Sequence, residues 1–462
     1  MTSDLSRRAF LKRASALSLA GAATPFVMNL AAMGEAAAAT ATDYKALVCV
    51  FLYGGNDYAN TLVPNDNTQY GIYQAQRPGL AYAQSALTPT ALTPSMPLPN
   101  GAQYALAPEL AKLLPLFNAG NLAVLLNAGT LVQPTTKAQY QAHVSLPPKL
   151  LSHNDQQSYW QASSPEGAAS GWGGRIGDLL QSGNGTATLT CINVTGNAAF
   201  LTGQAAVQYS VTPAGPIALN ARTSLQGSTA AASLLQSLIS GGGTHEFEAA
   251  LDGIGSRALN LYSQVSAALG QAPVTTTVFP TAADPQSSLG AQLQMVAKLI
   301  SVSSQLGAKR QVFFVSTGRY DTHAGLVTLH PTLLTNLADA LRAFYDTTVE
   351  LGVASQVTTF TGSDFGRALT ANNDGTDHGW GSMHFVLGGA VRGGRYYGIN
   401  PTLANGGPDD IGQGRLIPTL SVDQYAATLA SWFGVSNSDL ATVVPNIGNY
   451  AGSALGTNVG FV

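Results

Sequence analysis

The run at residues 44–53, YKALVCVFLY, breaking at Gly54-Gly55, constrains the fold more than any other segment. It is apolar at consecutive rather than alternate positions, so both faces of the strand it forms must be covered. Strands of that kind belong to parallel sheets flanked by helices. The pattern recurs down the chain. Residues 108–118 show helical spacing (Leu110, Leu113, Leu114, Phe117) and lead into a second buried strand at 122–127. Further strands are expected at 186–194, 311–316, 356–361 and 384–391, and helices at 292–306, 331–351 and 422–433. Helices alternating with buried strands predict an α/β fold, a mainly parallel sheet with helices on both faces. Residues 65–104, rich in Pro, Gln and Thr, read as loop. From about 205 to 290 Ala, Ser and Gly take over, and two amphipathic helices are expected there, near 225–239 and 246–268. They read as a helical insertion, hinged at Gly241–Gly243, in one domain spanning 42–462.

Charge narrows the partners. Charged residues make up 10% of the 462, and 21 Lys+Arg against 24 Asp+Glu leave a net charge of −3. No basic stripe appears, which excludes nucleic acid as a main partner. An apolar share of 45% excludes disorder for most of the chain. A neutral surface rich in Ala, Gly and Thr suits an exported protein, and the N-terminus agrees. Ser6-Arg7-Arg8-Ala9-Phe10-Leu11-Lys12 resembles a twin-arginine export motif, no charge occurs from Ala14 to Gly34, and small residues fill 36–41. Residues 1–41 therefore read as a signal peptide, cleaved after Ala39 or Ala41. Pro25 and Asn29 interrupt the apolar run, so no permanent membrane span is expected. The expected partner is the twin-arginine export machinery and the destination periplasmic or secreted. Cys49 and Cys191 would meet an oxidising compartment, as a disulfide if their strands are neighbours or as two buried thiols.

Ligands of open α/β sheets gather at the carboxyl ends of strands. After the first strand stands Gly54-Gly55-Asn56-Asp57-Tyr58-Ala59-Asn60-Thr61. After 311–316 stands Arg319-Tyr320-Asp321-Thr322-His323, and after 356–361 Gly362-Ser363-Asp364-Phe365-Gly366-Arg367. Gly375-Thr376-Asp377-His378-Gly379 and His384 follow. Asp and His at several strand ends form the ligand inventory of a divalent-metal site. Each has a local alternative: a turn at Asp57, an N-cap at Asp364, a core imidazole at His384.

Taken together, Gly-Gly-Asn-Asp with Asn-Thr-Leu-Val-Pro, then Tyr-Asp-Thr-His, Ser-Asp-Phe-Gly-Arg and Gly-Thr-Asp-His-Gly resemble the DUF1501 family of exported bacterial proteins. The resemblance runs from about residue 42 to the C-terminus, and the family's function is uncharacterised. It implies an alkaline phosphatase/sulfatase-like fold. By the same resemblance Asp57 matches the first metal-binding carboxylate, and Asp321 and His323 a ligand pair. Asp364 sits where an Asp-His-Gly motif normally stands; Phe365 replaces the histidine, which argues against a full two-metal site. His378 is implied as the distal ligand, with Asp377 beside it or orienting it. Ser152 is the implied nucleophile, with Thr130 as the alternative, and His153 a pocket residue. Asn60, Arg319, Arg367 and His384 are left for substrate.

The expected function is an exported metal-dependent hydrolase of phosphate or sulfate esters. It would use zinc, manganese or calcium on an anionic ester or polymer. The alternative is a non-catalytic, metal-stabilised scaffold that binds a polymer or a partner protein. No G-x-S-x-G elbow and no Gly-rich phosphate cradle follows a strand, which disfavours a serine hydrolase or a nucleotide site.

Overall fold

Strand β1 (Lys45–Leu52) lies inside the sheet and alternates between two cores. Ala46, Val48, Val50 and Leu52 enter one, and Leu47, Cys49 and Phe51 the other. This is why the run carries no polar residue between Lys45 and the glycines. The computed structural model describes residues 43–462 except 197, 220–222, 242–244 and 282–287. The signal peptide expected at 1–41, and most of the Gly241–Gly243 hinge, lie outside the described residues.

The other main strands are β2 (Leu122–Gly129), β3 (Cys191–Asn193), β4 (Tyr209–Thr212), β5 (Arg310–Thr317) and β6 (Val357–Ser363). β7 (Arg367–Asn372) and β8 (Gly375–His378) form a separate hairpin, and β9 (Ser382–Gly388) returns to the sheet. The ten-stranded sheet runs Tyr396–Tyr397, β2, β9, β6, β1, β5, β3, β4, Gly215–Pro216, with Leu420–Ser421 also on β2. β1 pairs in parallel with both β5 and β6, and β3 in parallel with β5 and β4. β9 is antiparallel to β2 and to β6. The sheet is thus mainly parallel with helices on both faces, as expected.

The helices are α1 (Asn67–Gln76), α2 (His153–Ala162), α3 (Trp172–Leu180), α4 (Thr229–Ile239), α5 (Glu246–Leu269), α6 (Leu289–Ser301), α7 (Leu326–Glu350) and α8 (Val422–Phe433). α6 and α7 pack Leu293, Val296, Leu334, Leu337 and Leu341 on the face that holds Val48. α3 and α8 pack Ile176, Leu179, Tyr425 and Leu429 on the opposite face. No helix among the described residues is long and apolar enough to cross a membrane.

Several local readings need correction. Residues 65–104 are not all loop. Asp66 caps α1 by accepting from the Gln69 N–H at 2.9 Å, and the helix buries Tyr70 and Tyr73. Its buried side is aromatic and amphipathic, so a count of aliphatic residues passes over it. The strand expected at 186–194 shrinks to β3, because Ala187–Leu189 is a single 3₁₀ turn. α7 begins at Leu326, five residues before Pro331, which the helix tolerates near its start. Cys49 and Cys191 are buried free thiols. β5 separates their strands, so no disulfide joins them.

Candidate metal centre

The register explains the gathering at one edge. Leu52 of β1 is level with Thr317 of β5 and with Ser363 of β6, so the loops after all three leave the sheet side by side. β9 runs the other way, with Ser382 opposite Ala128 near the end of β2, so residues 378–381 arrive at the same edge. The hairpin sets Arg367 opposite His378. Only glycine fits where these loops touch. Gly54 (φ +114) lies against the backbone of Asp321, and Gly55 (φ +82) against the Phe365 ring; a Cβ on either would collide.

Asp321 stands at the middle. Its Oδ1 lies 3.2 Å from His323 Nε2 and 3.2 Å from His378 Nε2, and its Oδ2 lies 3.4 Å from His153 Nε2. Single ligand atoms of His153, Asp321 and His378 all fall within 4.8 Å of one another. Each imidazole is held from behind through Nδ1: His153 by Asp364 Oδ2 at 2.6 Å, His378 by the Leu151 carbonyl at 2.8 Å, His323 beside Asp377 Oδ1 at 3.4 Å. Arg367 Nη1 donates to Asp321 Oδ1 at 2.5 Å and fixes the carboxylate. The Phe365 ring packs against His153 and His378, with centroids 4.9 and 4.6 Å away. The position expected to lack a ligand is therefore filled by a wall that orients two others. Backbone strain flanks the cluster, with Leu151 at φ 71 and Arg319 at φ 73.

A donor count tests whether a cation fits. The Leu151 carbonyl only accepts, so His378 Nδ1 carries a proton, and the neutral ring presents a lone pair at Nε2. That lone pair faces a carboxylate oxygen and the Nε2 of His323 at 2.9 Å. A proton carried by His323 on Nε2, or a metal ion between them, satisfies both acceptors. Burial pushes the His378 imidazole below its ordinary value, helped by Arg367 and His153, which disfavours a second proton on that ring. Ligands about 2.0–2.2 Å from a tetrahedral ion stand roughly 3.3–3.6 Å apart; the spacings around Asp321 are 3.2–3.4 Å, while His323 and His378 stand closer, at 2.9 Å. Each imidazole with an acceptor behind it is also the usual support of a metal-bound histidine. The residues fit a metal. Elsewhere in the cluster, partial burial opposes ionisation of Asp321, but Arg367 and the imidazoles more than offset it and hold its carboxyl low. The hydrogen bond that His153 Nδ1 gives to Asp364 raises His153.

Of the residues singled out from sequence, Asp321, His323 and His378 converge. His153, expected as a pocket residue, joins them with its Nε2. Asp364 and Asp377, expected as ligands, stand behind His153 and His323. Asp57 is displaced from the ligand role. It is fully buried, and its carboxylate accepts from Arg77 Nη1 at 2.8 Å, the Asn60 N–H at 3.0 Å and Thr376 Oγ1 at 2.9 Å. Asn60 is buried too, accepting from Tyr73 and Arg77 and donating to the Leu80 carbonyl, so it faces no substrate. Arg367 is spent on Asp321, Gly54 and Thr376. Arg319 remains exposed, with no ion pair among the described residues. His384 lies in the core against Trp160 and Tyr425, and burial lowers it to about 3. Ser152 begins α2 and donates to Asp155 Oδ2 at 3.0 Å. Thr130 is buried and bonds Gln156 and Trp380, which removes it as a nucleophile.

Arg77, Gln157 and Leu151 were missed. Gln157, one helical turn after His153, donates to Asp364 Oδ2 at 2.8 Å, and only the helical spacing from His153 could have pointed to it. The Leu151 contribution is a backbone carbonyl, for which side-chain identity gives no signal.

No curated protein sequence matches the chain. Its structure is similar to that of the sulfatase PsFucS1 from Pseudoalteromonas sp., at 10% identity and a TM-score of 0.35 over 90% of this chain and 73% of that one. It is similar also to Ps i-CgsB, crystallised with k-i-k-neocarrahexaose, at 9% and 0.36 over 87% and 74%. A third is the lipoteichoic acid synthase LtaP from Listeria monocytogenes, at 9% and 0.31 over 90% and 80%. The sequence itself is decisive: residues 44–443, the stretch that holds every residue of the cluster, match the family described as "Protein of unknown function (DUF1501)", and the chain belongs to that family.

Proposed function

We propose that the chain binds one divalent ion through His153, Asp321, His323 and His378 and hydrolyses phosphate or sulfate esters after export by the twin-arginine route. The observation that carries the reading is the convergence of three supported imidazoles on one carboxylate. A donor set of three nitrogens and one oxygen suits zinc or manganese better than calcium, which takes oxygen ligands. An ion held there supplies Lewis-acid polarisation of the ester and a lowered pKa for bound water. Arg319, exposed two residues from Asp321, would hold an oxyanion edge with its planar fork. The first-turn amides of α2 offer further donors to an anion. Asp155 accepts a hydrogen bond from Ser152, so in a serine attack it would be placed to take the proton.

Elemental analysis and an assay on 4-nitrophenyl phosphate and sulfate test the reading. About one ion per chain, with turnover lost together with the metal in His378→Ala, is expected; protein without metal would overturn it. Full burial of Arg367 favours the scaffold alternative, since the cation nearest the cluster is turned inward. An ion with no turnover on either ester would select that alternative.

A further inference from the structure

We infer that the ester is carried on a neutral, polyhydroxylated group, a sugar residue, received by the groove beside α2. The assignment of this group as substrate rests on the hydrolase reading; the groove's own chemistry does not. The groove encloses about 290 Å³ between Tyr53, Asn154, Gln157, Gln161 and Glu166. Asn154, Gln157 and Gln161 recur at helical spacing, so the groove follows one face of α2. It reaches the back of the metal centre, because Gln157 lines it and also donates to the Asp364 carboxylate that holds His153 from behind.

The polar groups select the occupant. The Gln157 nitrogen is committed to Asp364, while its oxygen makes no hydrogen bond among the described residues. The Asn154 nitrogen lies 3.4 Å from Glu166 Oε1, and its oxygen too has no partner among the described residues. Tyr53 Oη accepts from Gln161 Nε2 at 3.5 Å, which leaves its O–H free to donate. The wall thus offers two amide oxygens, a carboxylate, one hydroxyl donor and the Ser158 oxygen, whose O–H is given to the Pro165 carbonyl at 2.8 Å, with no Lys or Arg among the lining residues. An occupant bearing several sulfates or phosphates would meet Glu166 and no cation. Hydroxyl groups, each a donor and an acceptor, match an acceptor-rich wall. The volume lies at the small end of ligand sites, roughly 300–1,000 Å³, and suits one ring rather than a bundle of chain. The half-buried Tyr53 ring adds an apolar face for ring C–H groups.

Saturation-transfer NMR on the full chain with unesterified glucose, galactose and mannose tests the inference, alongside Tyr53→Phe/Asn154→Ala protein. Transfer to the ring protons of at least one sugar is expected, not competed by dextran sulfate, with affinity about tenfold weaker in the double variant. No transfer from any of the three sugars, or equal binding by the variant, would overturn it. The 4-nitrophenyl assay separates the two readings. Sugar binding without aryl-ester turnover leaves the groove standing and removes the hydrolase; turnover without sugar binding does the reverse.

Discussion

Asp57 and Asp321 end neighbouring strands, and each meets an arginine, but their surroundings give them opposite uses. Asp57 and Arg77 are both completely buried, and every Asp57 oxygen has a donor. Asp321 is exposed, and apart from Arg367 its charged partners among the described residues are imidazole nitrogens. Removing Arg77 strands a buried charge, which costs about 3–5 kcal/mol. Arg77→Met should therefore lower thermal stability sharply while bound metal per folded chain stays constant, and Asp321→Ala should abolish metal. Metal loss in Arg77→Met protein that is still folded would return Asp57 to the ligand set. Asp57 was legible as a strand-end carboxylate, but its partner lies in a stretch that reads as loop, and no spacing rule joins 57 to 77. His384 shows a second limit. Burial lowers it to about 3, so the folded state holds it neutral. That contribution to stability is complete above its unfolded value near 6.5 and is lost as pH falls towards 3. Between pH 6.5 and 4 it amounts to at most about 3 kcal/mol, and His384→Phe should flatten the acid limb of urea stability by up to that much. An unchanged acid limb would place the proton uptake elsewhere.

At the scale of elements, the helices legible in the sequence were those whose buried stripe is aliphatic, and α4 and α5 fall where that stripe and an Ala-rich background placed them. What they bury was not legible. α4 buries only Ala232, and Leu234 and Leu238 are 61% and 67% exposed. α5 buries Leu261, Val265 and Ala268 in its second half, while Phe247 and Leu251 in its first half are 82% and 65% exposed. At roughly 25 cal/mol per Å² of apolar surface removed from water, α4 and the first half of α5 gain little from packing. Both should therefore open far below the global unfolding free energy. Hydrogen exchange should show protection rising along α5 from Glu246 to Leu269 and highest in β5, whose Val312–Val315 are fully buried. Equal protection in α4 and β5 would contradict this.

At the scale of the molecule, the edge itself was legible, because strand ends can be counted from apolar runs and parallel strands bring their ends together. The supports of the centre were not, because Leu151 and Gln157 belong to no strand-end motif. The ligands also come from distant parts of the chain. His153 starts α2, Asp321 and His323 follow β5, and His378 ends β8. No fragment short of the assembled sheet brings them together, so the proposed metal binding would be coupled to folding of the whole domain. An export route that carries folded proteins would let the ion be chosen in the cytoplasm before transit, and we propose such a route from the resemblance of the Arg7-Arg8 pair to the twin-arginine motif. Changing both to Lys should therefore trap an uncleaved precursor in the cytoplasm that already holds its ion. Wild-type protein recovered outside the cytoplasm should begin after Ala39 or Ala41 by N-terminal sequencing. A trapped precursor that is folded but metal-free would show that loading follows export, and cleaved double variant in the periplasm would rule out the twin-arginine route altogether.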